Sequence, residues 1–308
     1  MSSVLLTLKP ADVIAVVVTY NPDWTLLREQ TLRLLPQVGR VIWVDNASQH
    51  SPAALAAELG VSFVALPRNQ GIAYAHNHGV QWALAQSVPY VLLMDHDSLP
   101  EPDMVNQLGA VMLQQPDAAA VGPKYVDPRS ETPCFPFVWI EGFKLQRLHR
   151  QDAEACVKVD HLIASGCLIR AEAWRSVGAM SEPLFIDFVD VEWCLRARAQ
   201  GWHLYGVWNA GMLHTIGHDT VQHWGRNFRI HSPLRHYYHI RNGVYLYRQS
   251  WIPWNWRVVS GWRMMLKIGF YLLLGQNRWA YARSTWQGLR DGWDLQAPVP
   301  MHFQERQS

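Results

Sequence analysis

Between Asp219 and Asp291 this 308-residue sequence contains neither aspartate nor glutamate. Residues 226 to 290 instead hold ten arginines and one lysine, about +11, in a chain whose net charge is only +2. The remainder is therefore near −9, and the asymmetry marks the C-terminal part as a candidate contact with an anionic partner. Other absences narrow the class further. No run of about 18 uninterrupted apolar residues occurs, so no membrane-spanning helix is expected. Lys9 and Asp12 interrupt the N-terminal region, so no signal peptide is expected. The four cysteines, Cys134, Cys156, Cys167 and Cys194, include no CxxC pair. They read as small core residues in a reduced, cytoplasmic setting. Neither GxGxxG nor GxxxxGK[ST] is present, which removes the usual dinucleotide and P-loop readings. Charged residues are 17% and hydrophobic residues 49%. That is ample for a core and excludes disorder.

The first 125 residues alternate strand and helix signals. "VIAVVVTY" (13–20) is a continuous β-branched run closed by Asn21-Pro22, as for a strand buried on both faces. Further strands are expected at 40–45, in "VSFVAL", in "YVLLMD" and in "AAAVGP". Helices are expected at 24–35, from Ser51-Pro52 to Leu59, at 72–86 and at 102–114. Four βα units in a row predict a mostly parallel, doubly wound α/β sheet. Ligands of such sheets sit at the carboxyl ends of the strands. The polar tips Tyr20-Asn21, Asp45-Asn46, Arg68-Asn69 and Asp95-His96-Asp97 all lie there. Residues 126 to 160 read as irregular. A strand and helix follow around Ala171, then an acid-led helix in "FIDFVDVEWCLRARAQGW", a strand in "HLYGVWNAGMLHTIGHD", and helices near 234–250 and 257–275.

Four constellations carry possible chemistry. Asp95 and Asp97, alternate residues of an extended segment, point one way and His96 the other. Two carboxylates at the sheet mouth suit a hard divalent ion, although "DSLPEP" also suits a turn that starts a helix. An apolar run ending in DxD also fits a phosphotransferase aspartate, but Ser98-Leu99 stand where that family has Thr or Val and then Gly. In "RNQGIAYAHNHGV" (68–80), Gly71 permits close backbone approach before a helix N-terminus, a cradle for pyrophosphate. His76 and His78, two apart on a helix, face differently and do not form a joint metal site. Asp187, Asp190 and Glu192 cluster at a helix entry, where acids are favoured in any case. Asp187 and Asp190 share a face if the helix includes both. His214 and His218 follow a strand as candidate ligands.

Taken in order, "VVTYNP", "VDNAS", "RNQGIAYAHNHG", "LLMDHDS", "FIDFVDVEWCLRA" and "MLHTIGH" resemble the motifs of GT-A fold, family 2 glycosyltransferases, most closely the bacterial rhamnosyltransferase-like group. The resemblance spans roughly residues 12 to 250. It implies that Thr19, Tyr20 and Asn21 line a nucleotide pocket. Asp45 and Asn46 would bind the pyrimidine or its ribose, and Asn69, Gly71 and Asn77 would shape the adjoining wall. It implies a divalent metal, Mg²⁺ or Mn²⁺, held by Asp95, Asp97 and His214. Asp190 would be the general base, with Asp187 the runner-up, since Val189 stands where relatives often carry a second acid. Gly166, Glu192 and Trp193 would lie on the acceptor side. The implied reaction is inverting transfer of a sugar, dTDP-L-rhamnose being the favoured donor, to a lipid-linked or polysaccharide glycan. A UDP-sugar donor, or a non-catalytic nucleotide-sugar or glycan-binding module, are the alternatives.

Seven of the 16 tryptophans lie after residue 250. "WRVVSGWRMMLKIGFYLLLG" (256–275) mixes cations with large apolar residues, as a helix lying in an anionic headgroup layer does. Packing on the core or on a partner subunit is the other reading. No nucleic-acid recognition pattern appears, so nucleic acid is not expected as a partner. The expected organisation is a catalytic domain over 1–232 and a helical, basic extension over 233–308, peripheral on the inner face of the cell membrane.

Overall fold

The computed structural model describes residues 7–127, 135–150, 154–214, 219–223, 226–230, 232–274 and 277–295. Strand β1 (Val13–Thr19) is buried along its whole length. Its odd and even residues enter two different cores, Val13, Ala15 and Val17 on one side and Ile14, Val16 and Val18 on the other. This two-sided burial is why the run reads as continuous rather than alternating. Beside β1 lie β2 (Arg40–Asp45) and β4 (Tyr90–Asp95), both parallel to it, with β3 (Ser62–Ala65) outside β2. Helices α1 (Trp24–Leu34), α2 (Ala53–Leu59) and α3 (Ile72–Leu84) form the crossovers. Asp23 caps α1 by accepting from the Thr25 and Leu26 amides.

The sheet is mixed beyond β4. The chain leaves β4 at Asp95, turns through His96 and Asp97, and continues as the short β5 (Ser98–Pro100). Then come α4 (Met104–Gln114) and β6 (Ala118–Val126), where the sequence led to a helix and a fifth strand. The segment read as irregular contains a hairpin, β7 (Val138–Glu141) with β8 (Lys144–Arg147), and the strand β9 (Cys156–Lys158). Strand β10 (Cys167–Arg170) inserts antiparallel between β4 and β6 and leads into α5 (Ala171–Val177). Helix α6 (Val189–Ala199) precedes β11 (His203–His214), which runs parallel to β6 and antiparallel to β5 and β9. The sheet order is β3-β2-β1-β4-β10-β6-β11-β5, with β9 on β11. The expected mostly parallel α/β sheet is thus present, with β5, β9 and β10 running against the rest.

A hairpin, β12 (Asp219–His223) with β13 (Arg226–Ile230), leads to three helices. These are α7 (Pro233–Arg248), α8 (Trp254–Leu274) and α9 (Arg278–Trp293). The last falls within the helical extension expected over 233–308, where the sequence bounds no separate helix after 275. It lies directly on α7 because a side chain at Gly292 would come within 2.4 Å of the Arg241 carbonyl oxygen. Among the described residues no helix is long and apolar enough to cross a membrane. The three described cysteines, Cys156, Cys167 and Cys194, form no disulfide.

Candidate active site

The carboxyl ends of β1, β2 and β4 open onto a cavity of about 480 Å³. Its position follows the rule for open α/β sheets. Asp95, Asp97 and His214 meet on its wall, with one ligand atom from each lying within 4.8 Å of the others. The sequence placed Asp95 and Asp97 in an extended segment; instead Asp95 ends β4 and Asp97 sits in the turn that follows it, and the two still converge.

Three features fix that geometry. Gln30, fully buried on α1, donates its side-chain amide to the Asp95 carbonyl at 2.6 Å and to the Ser98 carbonyl at 2.5 Å, clamping both ends of the turn. Ser165 accepts from the Asp95 amide at 3.1 Å and shares a hydrogen bond with Ser98 at 2.7 Å. The β5–β11 register sets Ser98 opposite His214, and the Ser98 hydroxyl meets His214 Nδ1 at 2.6 Å. Pairing two short strand ends thus brings together residues more than a hundred positions apart. The same Nδ1 faces Asp97 Oδ1 at 3.6 Å, so Ser98 fixes the ring where it meets the carboxylate.

The group fits a divalent cation. One buried oxygen, Asp97 Oδ1, has no hydrogen-bond partner, and it lies 3.6 Å from His214 Nδ1. A buried carboxylate oxygen without a donor is costly unless a cation or ligand answers it. Two carboxylates and an imidazole are a mixed oxygen–nitrogen set suited to Mn²⁺ and tolerable for Mg²⁺. Burial raises the Asp95 carboxyl to about 7, helped by the charges of Asp97 and Asp190 and opposed by Arg235.

Asp190 lines the same cavity at the start of α6, held by the Val191 amide at 2.8 Å. Burial pushes its carboxyl above the usual range, while backbone amides pull the other way. Asp187 also lines the cavity but precedes α6, so the two do not share a helix face. Its carboxylate is gripped by Arg235 of α7 at 3.1 to 3.3 Å. The intervening loop is strained: Phe185, Asp187 and Phe188 all have φ near +60°. Asn242 of α7 restrains it by donating to the carbonyls of Leu184, Ile186 and Asp187 at 2.8 to 2.9 Å, and Arg241 donates to Pro183 and Leu184. These α7 residues were missed from sequence because nothing in "HIRNGV" announces a loop 55 to 58 residues away.

Of the residues expected to bind nucleotide, Tyr20, Asn46, Asn69 and Gly71 line the cavity. Asn69 Oδ1 accepts from Asn46 Nδ2 and from the Gly71 amide, both at 3.0 Å, and Asn46 Oδ1 accepts from the Gln70 amide. Gly71 has φ +88°, and a side chain there would lie 2.6 Å from Phe185. The Ile72 amide, one of those a pyrophosphate cradle would use, already donates to the Phe185 carbonyl at 2.7 Å. Thr19, Asn21 and Asp45 do not line the cavity: Thr19 and Asp45 are buried, and Asn21 is exposed. The Asp45 carboxylate, almost wholly buried, accepts from the Thr19 hydroxyl at 2.8 Å and from the amide and hydroxyl of Ser48. Asn21 bonds Ser48 and Gln49, tying the β1 and β2 loops together.

Four further expectations fall away from the cavity. Asn77 is turned to the 180–182 segment, bonded to Met180 and Glu182. Glu192 is buried against Arg196, with contacts of 2.8 and 2.9 Å. Trp193 is in the core, stacked on Trp174 and donating to the Gly178 carbonyl. Gly166 packs under Pro123 and Met212. On α6 the helix turns Glu192 and Trp193 inward while Asp190 faces the cavity. His96 is not part of the Asp95–Asp97–His214 group, but it lines the cavity in the field of Asp97 and Asp45, so it does not turn away from the site. His76 and His78 diverge as expected, His76 buried against the sheet and His78 stacked on Tyr74. His218 lies outside the described residues.

Residues 14–177 match the family described as Glycosyl transferase family 2. The chain is 33% identical over 245 residues to the dTDP-rhamnosyl transferase RfbF of Shigella flexneri, covering 79% of this chain and 82% of that protein. Among solved structures, S. aureus TarS 1-349 in complex with UDP-GlcNAc superposes with a TM-score of 0.60 at 15% identity, over 94% of this chain and 82% of that one. GalNAc-T7 with UDP, GalNAc and Mn²⁺ gives 0.58 at 13%, over 90% of this chain and 58% of that one. At such identities the structures speak for the fold alone, whereas the family match and the Shigella relative speak for descent. The chain belongs to glycosyl transferase family 2, with the GT-A fold, in its rhamnosyltransferase-like group.

Proposed function

We propose that this glycosyltransferase moves L-rhamnose, with inversion, from dTDP-L-rhamnose to a hydroxyl of a lipid-linked or polysaccharide acceptor in cell-surface glycan synthesis, and that it needs a divalent cation. The observation that carries the reading is one cavity holding both the Asp95–Asp97–His214 group and Asp190. The name of the Shigella relative supports the donor.

Asp95, Asp97 and His214 would hold Mg²⁺ or Mn²⁺, which supplies Lewis-acid stabilisation to the departing nucleoside diphosphate. Tyr20, Asn46, Asn69 and Gly71 form the wall for the nucleotide, with Thr19 and Asp45 buried behind it and Asn21 tying the adjoining loops together. Asp190 accepts the proton of the acceptor hydroxyl as that oxygen bonds to the anomeric carbon and the bond to the diphosphate oxygen breaks. A carboxylate raised by burial is better matched to this task than an exposed one. Asp187 is already neutralised by Arg235, which favours Asp190 over it. A single displacement inverts configuration without a covalent sugar intermediate.

The C-terminal helices are the proposed membrane side. Trp262 and Leu273 of α8 and Trp279, Trp286 and Trp293 of α9 are each more than 60% exposed. Among the described residues no carboxylate pairs with Arg263, Arg278 or Arg283, whereas Lys267 turns inward toward Asp187 and Arg235, and burial lowers its amine to about 8. Exposed tryptophans interleaved with unpaired cations suit an anionic headgroup layer, here the inner face of the cell membrane.

The test is release of nucleoside diphosphate across a panel of dTDP- and UDP-sugars with Mn²⁺, comparing wild type with Asp190→Asn. Turnover with dTDP-L-rhamnose, lost about a thousandfold in the variant, is expected. Preference for a UDP-sugar overturns the donor, full activity in Asp190→Asn passes the base to Asp187, and binding without turnover on any donor leaves a non-catalytic module.

A further inference from the structure

His76 projects from α3 toward the sheet among Ala73, Ala75, Gly79 and Val80, positions the fold fills with small or apolar residues. It is fully buried, and neither Nδ1 nor Nε2 has a hydrogen-bond partner. Burial pushes the imidazole down to about 4, so the ring is neutral, with one donor and one acceptor nitrogen. A buried polar ring with neither nitrogen satisfied calls for an explanation, commonly an absent ligand. His76 also lines the cavity, and its Nε2 lies 3.9 Å from Asp95 Oδ1. That separation is too long for a direct bond, yet it fits one oxygen placed about 2.8 Å from each. A hydroxyl has the needed polarity: it accepts from Nε2–H and donates to the carboxylate.

We propose that His76, with Asp95, reads one ring hydroxyl of the transferred sugar, making His76 a specificity-determining residue. The assignment rests on the donor-binding reading above. Asp95 belongs to the group that would anchor the diphosphate, and Asp190 in the same cavity receives the acceptor's proton. The group lying between them is the sugar. The nucleotide wall is built from other residues, Asn46, Asn69 and Gly71, so His76 contributes to the glycosyl part alone.

Calorimetry with Mn²⁺ tests it, using the free nucleoside diphosphate and the sugar nucleotide that wild type binds best in a panel. His76→Ala is expected to bind the diphosphate within twofold of wild type and the sugar nucleotide about tenfold more weakly. His76→Asn, whose amide can donate from a similar place, should recover part of that loss. Donors lacking one ring hydroxyl at a time should reveal a single position that matters in wild type and not in His76→Ala. Equal losses for diphosphate and sugar nucleotide make His76 a packing residue and overturn the proposal, as does no loss for either. A wild type that prefers a sugar other than rhamnose overturns the donor reading alone, since His76 is then tested on that sugar. A wild type that binds no sugar nucleotide better than its diphosphate overturns the hydroxyl site itself.

Discussion

Four carboxylates face one cavity, and each sits in a different electrostatic setting. Asp187 is neutralised by Arg235, Asp97 carries a buried oxygen without a donor, Asp190 is raised by burial, and Asp95 is lifted to about 7. Environment, not residue type, divides the roles. For Asp95 the sign is definite. Below pH 7 the cation-free carboxyl is mostly protonated, and a divalent ion must displace that proton. Mn²⁺ affinity is therefore expected to rise by up to roughly tenfold per pH unit between pH 6 and 7 and to level off above. Titration of free Mn²⁺ by electron paramagnetic resonance measures this; Asp95→Asn should bind more weakly with a flatter profile. An affinity independent of pH would falsify the assignment of Asp95 as a ligand. Residue order alone identified Asp95, Asp97, His214 and Asp190 as candidates, because their motifs sit at strand and helix ends. It put Glu192, two positions on from Asp190, on the acceptor side, whereas the helix carries that carboxylate to Arg196.

At the scale of elements, α7 is the part whose role the sequence hid. Its basic, aromatic composition assigns it to a C-terminal extension, yet Arg235 reaches the cavity and Asn242 holds the strained 184–188 loop by three carbonyls. Those carbonyls face protein, so removing the donor leaves acceptors unmade. Asn242→Ala is expected to cost about 2 kcal/mol or more, read as a lowered urea midpoint, and to reduce turnover further by releasing Asp187 and Asp190. An unchanged midpoint with unchanged turnover would mean the loop holds its shape without α7. The hairpin β7–β8 and helix α9 escaped sequence reading for another reason. Short half-exposed strands carry little periodicity. In α9, Gly288 and Gly292 weaken the helical signal while permitting close contact with the Tyr237 and Arg241 carbonyls.

Across the whole molecule, charge and aromatic surface are segregated. The α/β part carries most of the acids and the cavity, whereas α8 and α9 present exposed tryptophans and, among the described residues, Arg263, Arg278 and Arg283 without a carboxylate partner. Anionic vesicles are expected to carry the full chain upward in a density gradient at low salt and to release it as salt screens the cations. Replacing Trp262, Trp279 and Trp286 by serine should abolish flotation while leaving nucleotide binding intact. Flotation that fails at low salt, or that persists in the triple variant, removes this surface as the membrane contact and favours a partner subunit there.

The sequence by itself determined the α/β alternation, the strand-end placement of the polar tips and the acid-free stretch between Asp219 and Asp291, because periodicity and composition are local properties of a chain. Only the tertiary structure decided which polar residues meet. The β5–β11 pairing sets Ser98 against His214, Gln30 clamps the turn that carries Asp95 and Asp97, and α7 folds back to fix Asp187. Each is a contact between distant segments, fixed by strand register and by the burial of groups that must find a hydrogen-bond partner. For His76, whose nitrogens find none, burial by the sheet created the question that the sequence had no means to pose.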